Sequence, residues 1–126
     1  MRESGPLVLT SPAFADGQSL PLRYTCEGEG IAPSLHIEGI PEGTRTLALV
    51  LDDLSAPSGH FVHWILWDLP LTAGDIPEGE LPPGTVVGTT SAKAVGYFPA
   101  CPPPGSGLHR YVFTLYAVGD VIKLSY

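Results

Sequence analysis

Residues 96–118 read GYFPACPPPGSGLHRYVFTLYAV, and two unlike halves meet there. The first is a stiff turn, Pro99 and then Pro102, Pro103, Pro104 and Gly105. Proline fixes φ and has no backbone N–H, so this half cannot be a central strand and predicts a loop that keeps its shape without a ladder. The second half, residues 110–118, alternates Tyr111, Phe113 and Leu115 against Val112, Thr114 and Tyr116, the period of a strand. His109 and Tyr111, two apart at its head, share a face. A rigid rim beside an imidazole and a phenol predicts one wall of a small binding site.

Two more strands stand out on moving upstream. Residues 46–52, TLALVLD, are apolar on both faces, with Leu47, Leu49 and Leu51 on one, which predicts a strand inside a sandwich. Residues 61–69, FVHWILWDL, are apolar on both faces except for His63, which strict alternation groups with Phe61, Ile65 and Trp67. Shorter strands are predicted at 7–9, 20–25, 35–37 and, weakly, 85–91, with Pro21 demoting the second to an edge. Residues 40–43 form a turn, 70–83 are turn-rich, and 121–126 are a short tail. Gly74, Pro77 and Gly79 break the one helical-looking window, 73–80. Roughly seven strands with turns every ~8–12 residues predict an all-β fold, an antiparallel β-sandwich with little helix. Residues 1–126 read as a single domain without internal repeats.

Composition limits the function. The chain has 126 residues, 44% hydrophobic and 15% charged, which fits a globular protein and not a disordered one. Its 15 glycines and 14 prolines lie between apolar runs, as in a loop-rich β protein. The net charge of −7 and the lack of a basic cluster disfavour nucleic acid and an anionic membrane surface as partners. There is no transmembrane segment, since no apolar run has the length for one, and residues 1–14 lack the apolar core of a signal peptide. The expected location is cytoplasmic. In that reducing compartment Cys26 and Cys101 are expected as free thiols, and their spacing offers no metal motif.

Four polar groups sit at the ends of the apolar strands. Asp53 follows Leu51 by two and continues its face as the chain leaves the sheet. If the three strands are neighbours, Asp53, His63, His109 and Tyr111 converge opposite Pro102 and Pro103. Imidazole and phenol N–H and O–H groups suit a small anion, and the carboxylate could orient a histidine or bind an ammonium group. Each residue also has a plain structural role open to it: His63 and Tyr111 as packed core, Asp53 as a turn residue. Arg110 points away from the His109 and Tyr111 face, His36 and His60 are expected in solvent, and Trp64 and Trp67 in the core. Ser55, Ser58 and Ser106 lie in loops without a nucleophile elbow. Asp53, His63 and His109 are acceptable zinc ligand types, but no local motif supports zinc. No catalytic residue, metal or cofactor is therefore expected.

The stretches LALVLDDLSAPSGHFVHWILWDLP (47–70) and GYFPACPPPGSGLHRYVFTLYAV (96–118) resemble the phosphatidylethanolamine-binding protein family. The resemblance is to its bacterial and archaeal branch, often called Raf kinase inhibitor-like. SPAF (11–14), YTCEG (24–28) and GIPEGTRTLALVLDD (39–53) extend it over residues 7–118. It implies an antiparallel β-sandwich with a pocket for phosphate or the phosphatidylethanolamine head group. By position, the pocket residues would be Asp53, His63, Pro102, Pro103, His109 and Tyr111. Three departures stand out. The family's Asp-Pro-Asp reads Asp53-Leu54-Ser55, which replaces a second carboxylate with a hydroxyl. Its Gly-Pro before Cys-Pro-Pro reads Pro99-Ala100. Its C-terminal helix is expected to have no counterpart before Tyr126, so that either this cap is absent or a second subunit, as in a homodimer, covers the face. The implied function is non-enzymatic binding of a small anionic ligand such as phosphate or phosphorylethanolamine, with a regulatory protein partner. The alternatives are a kinase or protease inhibitor or scaffold, and a small hydrolase or isomerase with His63 or His109 as general base.

Overall fold

Leu47, Leu49 and Leu51 are 0, 1 and 0% exposed, and Thr46, Ala48 and Val50 between them are half-buried. One face of this strand is the centre of the core, and the other is covered less closely than its apolar sequence suggests. The computed structural model describes residues 7–56, 59–72, 74–102 and 109–119. Its strands are β1 (Val8–Thr10), β2 (Leu35–Glu38), β3 (Thr46–Asp53), β4 (Phe61–Leu69), β5 (Asp75–Ile76), β6 (Val86–Val87) and β7 (Tyr111–Val118). They form a three-stranded sheet, β1-β2-β5, and a four-stranded sheet, β6-β4-β3-β7. Every pairing between these strands is antiparallel. Leu35, Ile37 and Ile76 of the smaller sheet share one buried cluster with Leu47, Leu49, Leu51, Trp64, Leu66 and Leu69 of the larger. No described residue lies in an α-helix, and no described helix is long and apolar enough to cross a membrane.

Local chemistry explains where the structure departs from the sequence pattern. Residues 20–25 are not a strand; Leu22–Tyr24 form one turn of 3-10 helix. Pro21, at φ −59°, starts the turn. The Tyr24 N–H closes on the Pro21 carbonyl at 3.0 Å, and the Thr25 hydroxyl donates to the Leu22 carbonyl at 2.8 Å. With its polar groups satisfied locally, this segment has no need of a ladder. Arg23 fixes the turn to its surroundings through Glu29 at 2.6 Å and through Glu78. Of residues 85–91 only Val86 and Val87 form a strand, against β4, while Gly88 and Ser91 each donate one backbone bond to it, at Ile65 and Val62. The strand β5 arises inside the stretch predicted as turn.

Cys26 and Cys101 are joined in a disulfide, not left as free thiols. Thr25 bridges Ala100, and the Cys26 N–H donates to the Ala100 carbonyl at 3.0 Å. The two backbones therefore run side by side, with the cysteine Cα atoms 5.4 Å apart, within the range a disulfide spans. Residues separated by 75 positions in the chain are brought to bonding distance by the fold. The sequence offered only a compartment argument for their state.

Candidate functional site

The ends of three strands meet at Asp53. It closes β3, and its Cα partners are Phe61, which opens β4, and Tyr111, which opens β7. Asp53 keeps the inward phase of Leu47, Leu49 and Leu51 and is 4% exposed. His109 lies two residues before the paired part of β7, so it arrives beside the same carboxylate.

His63 reaches this face through an irregularity in β4. Asp52 pairs with Val62 and Leu51 with Trp64, which leaves His63 as an extra residue opposite the β3 ladder. Such a bulge turns two consecutive residues to one side. His63 and Trp64 are accordingly both buried, at 5% and 2% exposure. The second shift, between Leu47 and Leu49, adds a residue between Leu66 and Leu69, so that these two, three apart, are both buried. Strict alternation had grouped His63 with Ile65 and Trp67, which are only half-buried. The bulges override that grouping.

The polar contacts are short and specific. Asp53 Oδ2 accepts from His109 Nδ1 at 2.6 Å, with side chains 6% and 4% exposed. Asp53 Oδ1 accepts the Ser55 N–H at 2.9 Å. Both carboxylate oxygens thus have N–H partners, and Asp53 orients an imidazole. Ser55 Oγ in turn accepts the Arg110 N–H at 3.1 Å, and the Leu54 N–H donates to the Arg110 carbonyl at 2.9 Å. These bonds tie the loop after β3 to the entry of β7. His63 Nδ1 donates to the Phe98 carbonyl at 2.7 Å, and the Phe98 N–H donates back to the His63 carbonyl at 2.8 Å. The aromatic rings complete the cluster. The His63 ring lies 5.0 Å from Phe61, 5.7 Å from Phe98 and 5.5 Å, edge-on, from Tyr111. Tyr111 also stacks on His109 at 6.2 Å. Burial first, and the Asp53 charge second, push the Tyr111 phenol above its ordinary range, so it stays an O–H donor at neutral pH.

Asp53, His63, His109 and Tyr111 are therefore brought together. Pro102 is exposed and follows the disulfide at Cys101. Pro103 lies outside the described residues, as do Ser58, Ser106 and the segment 120–126. Trp64 is core, and Trp67 is half-buried. His36 and His60 reach solvent as expected, with side chains 37 and 71% exposed, and also contact carboxylates: His36 meets Asp75 and Glu38 at 2.6 and 2.7 Å, and His60 meets Asp52 at 2.8 Å. Among the described residues no group of three or more His, Cys, Asp or Glu side chains has the geometry to hold a metal. The Phe98 carbonyl and the Ser55 bridge were not foreseen. A backbone acceptor leaves no mark in the sequence, and Ser55 read only as a substitute for a carboxylate.

A family model described as Phosphatidylethanolamine-binding protein matches residues 10–126. A UPF0098 protein of Methanothermobacter thermautotrophicus is 41% identical over 121 residues, which span 92% of this chain and 79% of that one. A Mycobacterium tuberculosis protein named as a lipoprotein, LppC, is 40% identical over 94% of this chain and 59% of its own length. Among solved structures, the phosphatidylethanolamine-binding protein homologue CT736 of Chlamydia trachomatis superposes with a TM-score of 0.87 at 34% identity, over 94% of this chain and 79% of that one. Escherichia coli YbcL, described as a new member of the mammalian family, gives 0.87 at 30%, over 94% and 80%.

Proposed function

The chain belongs to the phosphatidylethanolamine-binding protein family, and on that premise we propose that it is a single-domain, non-enzymatic binding protein for phosphate or a phosphate-bearing head group. The observation that carries the reading is the buried Asp53–His109 pair with His63 and Tyr111 gathered beside it. A phenol O–H donor and two imidazoles at the mouth of three strands form a compact set of hydrogen-bonding groups for a phosphate. By the family resemblance Pro102 and Pro103 are proposed for its rim. Because both Asp53 oxygens already accept N–H groups, the amine of a head group contributes little, and the phosphate is the part recognised. Ser55, the serine nearest Asp53 in the chain, uses its oxygen to hold the Arg110 amide, which favours binding over nucleophilic chemistry.

The disulfide bears on location. Such bonds persist in oxidising compartments and in the cytosol of hyperthermophiles. The first setting is the one this reading favours over the reducing cytoplasm expected from the sequence, and a relative named as a lipoprotein agrees with it.

Titration with inorganic phosphate or phosphorylethanolamine, followed through the His63 and His109 ring resonances, tests the pocket. Both sets of signals should move at millimolar ligand, and His109→Ala should abolish the response. Resonances that stay fixed in the wild-type protein would overturn the reading.

A further inference from the structure

A carbonyl oxygen only accepts hydrogen bonds, so the 2.7 Å contact between His63 Nδ1 and the Phe98 carbonyl places the hydrogen of the neutral ring on Nδ1. The reciprocal bond from the Phe98 N–H to the His63 carbonyl holds that geometry from both sides. Nε2 then carries a lone pair and has no hydrogen-bond partner among the described residues. A neutral His63 thus presents an acceptor to whatever binds beside it. The neighbouring Tyr111 presents an O–H, and its phenol has no acceptor among the described residues.

We propose that this acceptor–donor pair selects anions that still carry a hydrogen: inorganic phosphate and singly protonated phosphomonoesters, in preference to phosphodiesters and sulfate. The inference rests on the phosphate pocket proposed above and names the ligand class within it. A P–OH group donates to His63 Nε2 while an unprotonated phosphate oxygen accepts from Tyr111. Sulfate and a phosphodiester are ionised without an O–H, so their oxygens face the Nε2 lone pair, acceptor against acceptor. They bind well only once the ring takes a second proton and turns from acceptor to donor. The groups facing His63 set few competing charges. From β4 and the 97–100 segment they are the uncharged rings of Phe61 and Phe98, and from β7 the phenol of Tyr111. Asp53 of β3 is engaged with His109. Arg110, next in the chain to His109, is exposed.

Inorganic phosphate and sulfate provide the cleanest comparison, since at pH 8 both are dianions of similar shape and only phosphate has an O–H. Calorimetric titration of the intact protein at pH 8 should show phosphate binding about tenfold or more tightly than sulfate or glycerophosphorylethanolamine, a diester, the effect of one misplaced hydrogen bond. Phosphorylethanolamine, whose second ionisation lies near pH ~6 as for other phosphomonoesters, should bind more tightly at pH 6 than at pH 8. Equal affinity for phosphate and sulfate at pH 8 would overturn this selection and leave the anion pocket standing. Failure of every anion at both pH values would remove the pocket itself. The ¹⁵N shifts of the His63 ring in the free protein supply a second check, since a hydrogen found on Nε2 at pH 8 overturns the inference without any ligand.

Discussion

Asp53 and His109 form an almost solvent-free pair, with Oδ2 accepting from Nδ1 at 2.6 Å while Oδ1 holds the Ser55 amide at 2.9 Å. Replacing the carboxylate takes the acceptor from His109 Nδ1, on a side chain 4% exposed, and from the Ser55 N–H at the exposed end of the strand. Asp53→Ala is expected to cost about 3 kcal/mol of folding stability, the range for orphaning buried polar groups. Urea denaturation measures it. A loss under about 0.5 kcal/mol, the size of an ordinary surface effect, would show that water replaces the carboxylate freely.

The core gives a reference scale. Leu49, 1% exposed, sits in the middle of β3, and Tyr116 is 50% exposed on β7. Leu49→Ala should lose about 3 kcal/mol through lost burial and an unfilled cavity, and Tyr116→Ala less than about 1 kcal/mol. Comparable losses at the two positions would contradict the assignment of faces in the larger sheet.

The disulfide closes a long loop. Reducing Cys26–Cys101, or replacing both residues with serine, should lower stability by about 2–4 kcal/mol. Thermal unfolding with and without reductant reads this directly. A melting temperature indifferent to reductant would mean that the two thiols are not joined in solution.

Gly28 packs against backbone. A Cβ placed there would come within 2.2 Å of the Leu22 carbonyl oxygen, which belongs to the 3-10 turn and has no freedom to withdraw. At Gly74 a Cβ meets nothing within 4 Å. Gly28→Ala should therefore destabilise by about 2 kcal/mol or more, and Gly74→Ala by a few tenths at most. Equal midpoints for the two variants would show that the 22–28 segment can relax.

His36 lies between two carboxylates, Asp75 first in effect and Glu38 second, and their hydrogen bonds raise its pKa above the ordinary 6.5. A raised value in the folded state means tighter proton binding there than in the unfolded chain. The stabilisation is fully present below pH 6.5 and is lost as pH rises through the folded-state value. Between pH 6 and 8 the denaturation midpoint of the wild type should fall relative to that of His36→Gln. Parallel curves would refute the linkage.

Much of this could be read from the residues alone, and the reasons differ by position. Asp53 was legible because β3 keeps strict alternation through Leu47, Leu49 and Leu51 to its end. His109 and Tyr111 were legible because they stand at the head of an equally regular strand. The inward aim of His63 was reached for the wrong reason, since alternation placed it with Ile65 and Trp67 and the bulge places it beside Trp64. A bulge is a property of two strands in register, and one strand's sequence does not contain it. The Cys26–Cys101 bond was invisible for the same reason, because only the bridge between Thr25 and Ala100 brings the two cysteines together. At 20–25 the alternation was real but local bonding to Pro21 and Leu22 prevailed.

The additional residue in β4 makes the identity of the group beside Asp53 and Tyr111 a matter of counting. A relative that preserved every one of these side chains yet dropped a single amino acid from that strand would rotate the imidazole to the far layer. A comparison by residue type alone would score the two as alike. Inheritance of the site is better judged by how many residues separate Phe61 from Trp64 than by whether a histidine is found between them.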